Sequence, residues 1–179
     1  MTFFVSVREI SEVEGTTTLK ISLKRRWVDE RLAFSSFEPG RSSVKISPDE
    51  RETLWVPWTV FANMKDGKSW VKSDVPDQLS ANFAKDYNSS ANVHVGADIV
   101  IEYEREMIVE LMCEYNMFWF PFDSQTCGVE MYQKEENVIL IPSAVAYTGP
   151  PQLIQYTVMG IEMCPAFFQV KNNHNCQIG

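Results

Sequence analysis

An all-β domain, built as a sandwich or barrel of many short strands, is the fold class this sequence predicts. Three observations carry the prediction. First, two stretches alternate apolar and polar residues with period two. In TTTLKISLKRRW, Leu19, Ile21 and Leu23 share one face, and Lys20, Ser22 and Lys24 the other. In IVIEYEREMIVELMC, Ile101, Tyr103, Met107, Val109 and Leu111 oppose Glu102, Glu104, Glu106 and Glu110. Second, turn clusters punctuate the chain: FEPGRSS, SPDE, MKDGKS, KSDVPD, YNSSAN and TGPP. Third, no stretch has the span or spacing of a long amphipathic helix; SPDERETLW has room for one short helical turn.

The strands are justified by residue type as well as by period. Glu, Met and Leu in the second stretch also suit a helix, but its alternation and its β-branched residues favour a strand. The chain has 179 residues, and 45% of them are hydrophobic. That is enough for one domain with a sizeable core, and far from a disordered composition. The whole of 1–179 reads as one domain, with Pro150-Pro151 as punctuation inside it.

Charge excludes one class of partner. The net charge is −8, with 16 basic against 24 acidic residues. A nucleic-acid surface needs clustered Lys and Arg, so none is expected. The opening stretch MTFFVSVREISEVEG is too polar for a signal peptide, and no apolar run approaches the length of about 18 residues that spans a membrane.

Four cysteines, Cys113, Cys127, Cys164 and Cys176, allow three pairings. Pairing 113 with 127 and 164 with 176 is favoured, because each short loop is then bounded by its own pair. Neither spacing matches a zinc module. An even count together with Asn88-Ser89-Ser90, an N-glycosylation acceptor, points to an oxidising compartment. No cofactor or metal motif is present. The two histidines, His94 and His174, lie in polar stretches, and no nucleophile elbow or phosphate loop occurs, so an enzyme is not expected.

The stretch CEYNMFWFPFDSQTC sets the direction. Closing so small a loop stabilises by about 3 kcal/mol, chiefly by restricting the unfolded chain. A staple alone does not call for Met117, Phe118, Trp119, Phe120 and Phe122. Such a load needs either the base of its own domain or a neighbouring apolar surface. Pro121 sets a turn suited to a cis bond after Phe120, with Asp123 as a buried or turn-capping carboxylate.

This loop, with Phe120-Pro121-Phe122-Asp123, Gln125 and Cys127 at its end, resembles the signature loop of Cys-loop receptors, the pentameric ligand-gated ion channels. Three further stretches agree in order. RRWVDERLAF resembles the family's Trp-x-Asp-x-Arg-Leu segment at Trp27, Asp29, Arg31 and Leu32. LWVPWTVFAN resembles its Trp-x-Pro-Asp stretch at Trp55 and Pro57, ending in Asn63. CPAFFQVKNNHNC resembles the second disulfide loop of glycine-gated and glutamate-gated chloride channels. The resemblance implies the extracellular ligand-binding domain, an immunoglobulin-like β-sandwich of about ten strands, with five copies around a pore and a transmitter bound between neighbours. It also implies that the N-terminal helix is missing, the last strand is truncated and the transmembrane part lies outside the chain. The 120–123 tetrad would couple binding to the channel domain.

The ligand residues carry over unevenly. Phe167 and Phe168 at the tip of the second loop offer aromatics for an ammonium. Lys134 stands where an aromatic is usual, with Tyr132 nearby. Trp58 replaces the Asp of Trp-x-Pro-Asp, and Val60 and Ala62 occupy positions where aromatics often contribute. Lys24 holds the position of a carboxylate-binding Arg, keeping the charge without the fork. Glu104 stands where a hydroxyl residue is usual, and it would repel a carboxylate. It suits Lys24, an amine, a proton or a metal ion.

The leading expectation is therefore a ligand-binding domain of a channel subunit, anion-channel-like and at the extracellular face of the plasma membrane, as in a glycosylated postsynaptic chloride channel. Its partners would be four further subunits, alike or different, an amine or amino-acid transmitter and the channel's transmembrane domain. The alternatives are a secreted binding protein resembling acetylcholine-binding proteins, and an orphan or accessory subunit.

Overall fold

A computed structural model describes residues 1–34, 42–65, 77–83, 94–134, 138–139 and 141–163. The expected second disulfide loop, with Cys164, Phe167, Phe168 and Cys176, and the sequon at Asn88 lie outside the described residues. Those that are described form ten strands, one α-helical turn and one 3-10 turn, in the order β1 (Thr2–Ser11), β2 (Thr16–Trp27), β3 (Ala33–Phe34), β4 (Ser43–Lys45), α1 (Pro48–Arg51), β5 (Thr59–Phe61), β6 (Gln78–Phe83), β7 (His94–Val95), the 3-10 turn (Gly96–Asp98), β8 (Ile99–Met112), β9 (Met131–Gln133) and β10 (Ala144–Tyr147). The all-β class and the strand count are as the sequence predicts.

The contacts divide these elements into two compact units, and β2 and β8 each contribute one part to either. In the first unit, described over parts of 1–23, 57–65 and 106–163, the strand order is β10-β1-β2-β8. β10 runs parallel to β1, with Thr2 opposite Ala144 and Val5 opposite Tyr147. A four-residue turn leads from β1 into β2. Gly15 has φ 63° there, a conformation side chains rarely adopt, and its carbonyl accepts from Cys113 N at 2.8 Å.

Alternation then builds the core. Leu19, Ile21 and Leu23 of β2 and Met107, Val109 and Leu111 of β8 are buried with Phe3 and Val5 of β1. Phe61 of β5 joins them, and Met131 of β9 packs against the same cluster. The β5–β9 pair thus lies over the face of the larger sheet, the packing of a β-sandwich. Full burial of each such side chain stabilises by about 1.5–3 kcal/mol.

The second unit, described over parts of 24–56 and 77–105, has the order β2-β8-β6-β4, with β3 paired to β7. Leu79, Ile101 and Tyr103 form its apolar centre, flanked by Trp27, Leu32, Phe34, Ile46, Leu54 and Val56. The helical turn expected in SPDERETLW is α1. Ser47 accepts from Glu50 N at 3.3 Å, and Glu50 Oε2 accepts from Ser47 N at 3.0 Å, a reciprocal cap. In the Trp-x-Asp-x-Arg-Leu segment, the buried Asp29 carboxylate accepts from Arg31 Nε at 2.7 Å and a terminal guanidinium nitrogen at 2.6 Å. The Arg31 hydrogen bond holds the Asp29 carboxyl below its ordinary value against the opposing effect of burial.

Polar groups gather around Tyr103. Its hydroxyl donates to Asp77 Oδ2 at 2.7 Å, and Arg51 reaches the same oxygen at 2.6 Å. Arg25 and Arg51 lie over the Tyr103 ring at 4.7 and 5.3 Å. Asp77→Asn is expected to cost about 2 kcal/mol, the scale of hydrogen bonds to a charged group. A urea midpoint unchanged from wild type would show that Asp77 does not hold this cluster together.

Candidate functional site

The β5–β9 pair brings together three of the expected ligand residues. Val60 sits opposite Tyr132 in an antiparallel register, flanked by Thr59 opposite Gln133 and Phe61 opposite Met131. Lys134 follows directly, and its amide donates to the Trp58 carbonyl at 3.2 Å. Strand alternation turns Phe61 into the core and leaves Tyr132 exposed beside an exposed Trp58. The Trp58 that replaces the usual Asp therefore occupies the rim of this patch.

Asn63, just past β5, fixes the pair to the rest of its unit. Its Nδ2 donates to the Met112 carbonyl at 3.2 Å and to the Gly128 carbonyl at 2.8 Å, while Oδ1 accepts from Glu130 N at 3.1 Å. Its own carbonyl accepts from Met112 N at 2.8 Å. One amide side chain thus ties together the end of β8, the exit of the disulfide loop and the entry to β9. Sequence reading noted Asn63 only as the end of a motif; the signal available was an Asn directly after a short apolar strand.

Lys24 and Glu104 belong to the second unit. The sequence suits Glu104 to Lys24, but the carboxylate at Lys24 Nζ is Glu102 Oε1, at 2.6 Å. The reason is register. Lys20 meets Glu106 at 2.7 Å, and stepping both ways along antiparallel strands brings Lys24 to Glu102. Arg26 Nε holds the other Glu102 oxygen at 2.7 Å. Burial raises the Glu102 carboxyl, and the hydrogen bonds and charges of Lys24 and Arg26 more than reverse this, so its pKa lies below the ordinary value. Glu104 stands opposite Gln78 in the β6–β8 register.

The loop between the first two cysteines is closed as expected. Cys113 and Cys127 are disulfide-bonded, with their Cα atoms 5.3 Å apart. The peptide bond between Phe120 and Pro121 is cis. Inside the loop, Gln125 bridges the two limbs: its Nε2 donates to the Asn116 carbonyl at 2.7 Å and its Oε1 accepts from Asn116 N at 2.9 Å. Gln125 also donates to Asp123, so Asp123, half-buried, braces the turn. Backbone bonds from Phe120 N to Met117 O at 3.2 Å and from Phe122 N to Trp119 O at 2.8 Å tighten the tip. The apolar load stays outside: Phe118, Trp119, Phe120 and Phe122 are 78, 71, 64 and 92% exposed. They do not plug the core of their own domain.

A bonded cis-Pro loop, the sandwich packing and the Trp-x-Asp-x-Arg-Leu turn agree with comparison to known proteins. The family described as the neurotransmitter-gated ion-channel ligand binding domain matches residues 1–144. The chain belongs to that family. Among curated relatives of this ligand-binding domain, the gamma-aminobutyric acid receptor subunit beta-like of Drosophila melanogaster is 32% identical over 167 residues, 86% of this chain and 31% of the relative. The gamma-aminobutyric acid receptor subunit rho-2 of Bos taurus is 30% identical over 128 residues, covering 70% of this chain and 24% of the relative. The acetylcholine receptor subunit alpha-type unc-38 of Caenorhabditis elegans is 26% identical over 135 residues, 74% and 23% of the two chains. The chain spans a quarter to a third of the length of these relatives. They are receptor subunits, and this ligand-binding domain is likewise not an enzyme.

Two outcomes follow for the domain. Asn63→Ala leaves two carbonyls and an amide without their partner and is expected to cost about 2 kcal/mol, read as a lower urea midpoint. Asn63→Leu is the control of similar size; if it unfolds at the wild-type midpoint, the amide contributes nothing. Glu102 has a folded-state pKa below its unfolded value, so it stabilises above the ordinary carboxylate range and that stability is lost as pH falls through the folded value. Glu102→Gln should lower stability near pH 7 by on the order of 1 kcal/mol. The gap should close as pH falls through the folded-state value of Glu102, below the ordinary carboxylate range; melting curves that keep it open once the carboxyl is protonated would refute the assignment.

Proposed function

We propose that this domain binds a small-molecule transmitter between adjacent subunits of a pentameric channel and passes the event to an anion pore through the 113–127 loop. The observation that carries the reading is the loop itself. Its limbs are fixed by a disulfide and by the Gln125–Asn116 pair, yet four of its aromatics face outward. Rigid presentation of apolar surface suits a permanent neighbour, and Phe120, Pro121, Phe122 and Asp123 are the coupling residues in this reading. In the full-length parent that neighbour is the transmembrane domain, the site faces the cell exterior, and Asn88 is a glycosylation acceptor.

Tyr132, Lys134, Val60, Phe167 and Phe168 are assigned to one side of the ligand site, and Lys24 and Glu104 to the other. Two relatives are named for gamma-aminobutyric acid, an ammonium and a carboxylate on one short chain. The Lys24–Glu102 pair favours such a zwitterion over a simple carboxylate. A zwitterion offers a carboxylate to Lys24 and an ammonium to Glu102, so neither half-buried charge loses its partner. The same pair, with Lys134 in place of an aromatic, also supports a second reading, an accessory subunit whose own face takes no transmitter.

Grafting this domain onto the pore of the rho-2 relative tests both readings. The expected result is an anion current evoked by gamma-aminobutyric acid, reduced at least tenfold in efficacy by Phe118→Ser with Trp119→Ser while radioligand binding is retained. A surface-expressed pentamer that binds no amine or amino acid would sink the first reading and favour the accessory one. Binding with a current indifferent to the loop changes would sink the coupling role.

A further inference from the structure

Two cations share one carboxylate in the second unit. Lys24 and Arg26 of β2 both reach Glu102 of β8: Lys24 Nζ lies 2.6 Å from Oε1, and Arg26 Nε lies 2.7 Å from Oε2. Strand alternation explains why both arrive there, since residues two apart on β2 point to the same side of the sheet. The group of three carries one positive charge in excess.

The two cations are not equivalent. The Lys24 side chain is 27% exposed and that of Arg26 65%. An ammonium is a compact point charge with no plane, and the one on Lys24 is drawn onto Glu102. Arg26 engages Glu102 through Nε. Its two terminal nitrogens form no hydrogen bond with any described residue. Because a guanidinium is planar, the bond at Nε restrains the direction in which that terminal pair projects. The result is an exposed fork of parallel N–H donors, the geometry that grips a carboxylate by two bonds.

We propose that Arg26 selects a carboxylate-bearing transmitter, its terminal nitrogens gripping the ligand carboxylate while Lys24 adds a single contact beside them. The assignment rests on the reading of this face as one side of the ligand site, and it names the chemistry that the face prefers. Lys24 keeps the charge of the expected arginine without its fork; two residues along the same strand face, Arg26 supplies the fork. The Arg26–Glu102 bond survives, since the ligand takes nitrogens that Glu102 does not use. The ligand ammonium then meets Glu102 on the side that Lys24 leaves. A plain amine has nothing to offer the fork and leaves the excess positive charge unanswered.

Competition binding on the grafted receptor tests this with gamma-aminobutyric acid and its methyl ester, which keeps the ammonium and lacks the carboxylate charge. The wild type should prefer the acid by about tenfold. Arg26→Gln should weaken binding of the acid roughly tenfold to a hundredfold, the range of hydrogen bonds to a charged group, and leave the ester where it was. Arg26→Lys restores the charge without the fork and should recover only part of the loss. Surface labelling of assembled receptors confirms that each variant folds. Were Arg26 only a brace for Glu102, Arg26→Gln would weaken acid and ester alike, and that result overturns the proposal. Full rescue by Arg26→Lys overturns the fork. An acid affinity indifferent to Arg26→Gln overturns the role of Arg26 and leaves the transmitter reading standing. A wild-type receptor that binds neither compound sinks the transmitter reading, and the role of Arg26 with it, so the two failures are told apart.

Discussion

The covalent tie between Cys113 and Cys127 is the constraint on which the functional parts of this domain depend. Cys113 is at once the last buried residue of the β8 core face and the first residue of the loop. Its partner stands four residues before β9, so the bond fixes where β9 starts. β9 in turn pairs with β5, and that ladder sets Val60 opposite Tyr132. Asn63 repeats the tie without covalent chemistry, holding Met112, Gly128 and Glu130 from one side chain. The Gly15 carbonyl holds the Cys113 amide from the other side. The loop and the β5–β9 patch are therefore two products of one anchored corner.

β8 shows how a strand of strict alternation serves two environments. Its odd positions from Ile101 to Leu111 supply both apolar centres, apart from Arg105. Its even positions carry the glutamates, and β2 answers with Lys20, Lys24 and Arg26. Lys65 joins Glu110 at 2.9 Å and also pairs with Glu14; those hydrogen bonds raise its pKa well above the ordinary lysine value. An overall charge of −8 thus coexists with a strand face on which named carboxylates are paired. Such half-exposed pairs add little stability each. Their larger effect is on register, because a slip of one residue would set Lys24 against a buried position.

Much of this was legible in the sequence, and the divide between what was and was not has a physical cause. β2, β8, the α1 turn and the 113–127 bond are read from local pattern: period two, a polar stretch with room for one helical turn, and cysteines close in the chain. The cis bond before Pro121 is likewise local. The identity of Lys24's partner was not legible, because Glu102 and Glu104 lie on the same face and only the cross-strand register chooses between them. Asn63 and Gln125 are named by their motifs, but their work in the fold was not legible, because it lies in bonds to backbone atoms of other segments, which composition does not record. Strands as short as β3, β5, β7 and β9 are set by their pairing partners, and their two or three residues carry too little pattern to announce themselves. The parallel pairing of β10 with β1 joins residues some 140 apart. The aromatics of the loop were predicted by type, but whether they faced inward or outward needed coordinates.

The outward-facing aromatics also set an energy scale for the proposed coupling. A large aromatic side chain buries 150–250 Å², worth roughly 4–6 kcal/mol at about 25 cal/mol per Å². Phe118, Trp119, Phe120 and Phe122 together offer on the order of 15 kcal/mol if covered by an apolar surface. Free association would consume about 4–15 kcal/mol of that in lost freedom and side-chain ordering. Two features of the chain shrink the cost. The loop is already held by the disulfide and by Gln125, so little backbone freedom remains to be lost. If the neighbour is the proposed channel domain of the same polypeptide, it meets the loop at high effective concentration, so association is no longer bimolecular. The surplus is then large enough for small changes in loop geometry to shift a conformational equilibrium by a few kcal/mol. Through the Asn63 knot and β9, the β5–β9 patch proposed to take the ligand has a short mechanical route to that geometry.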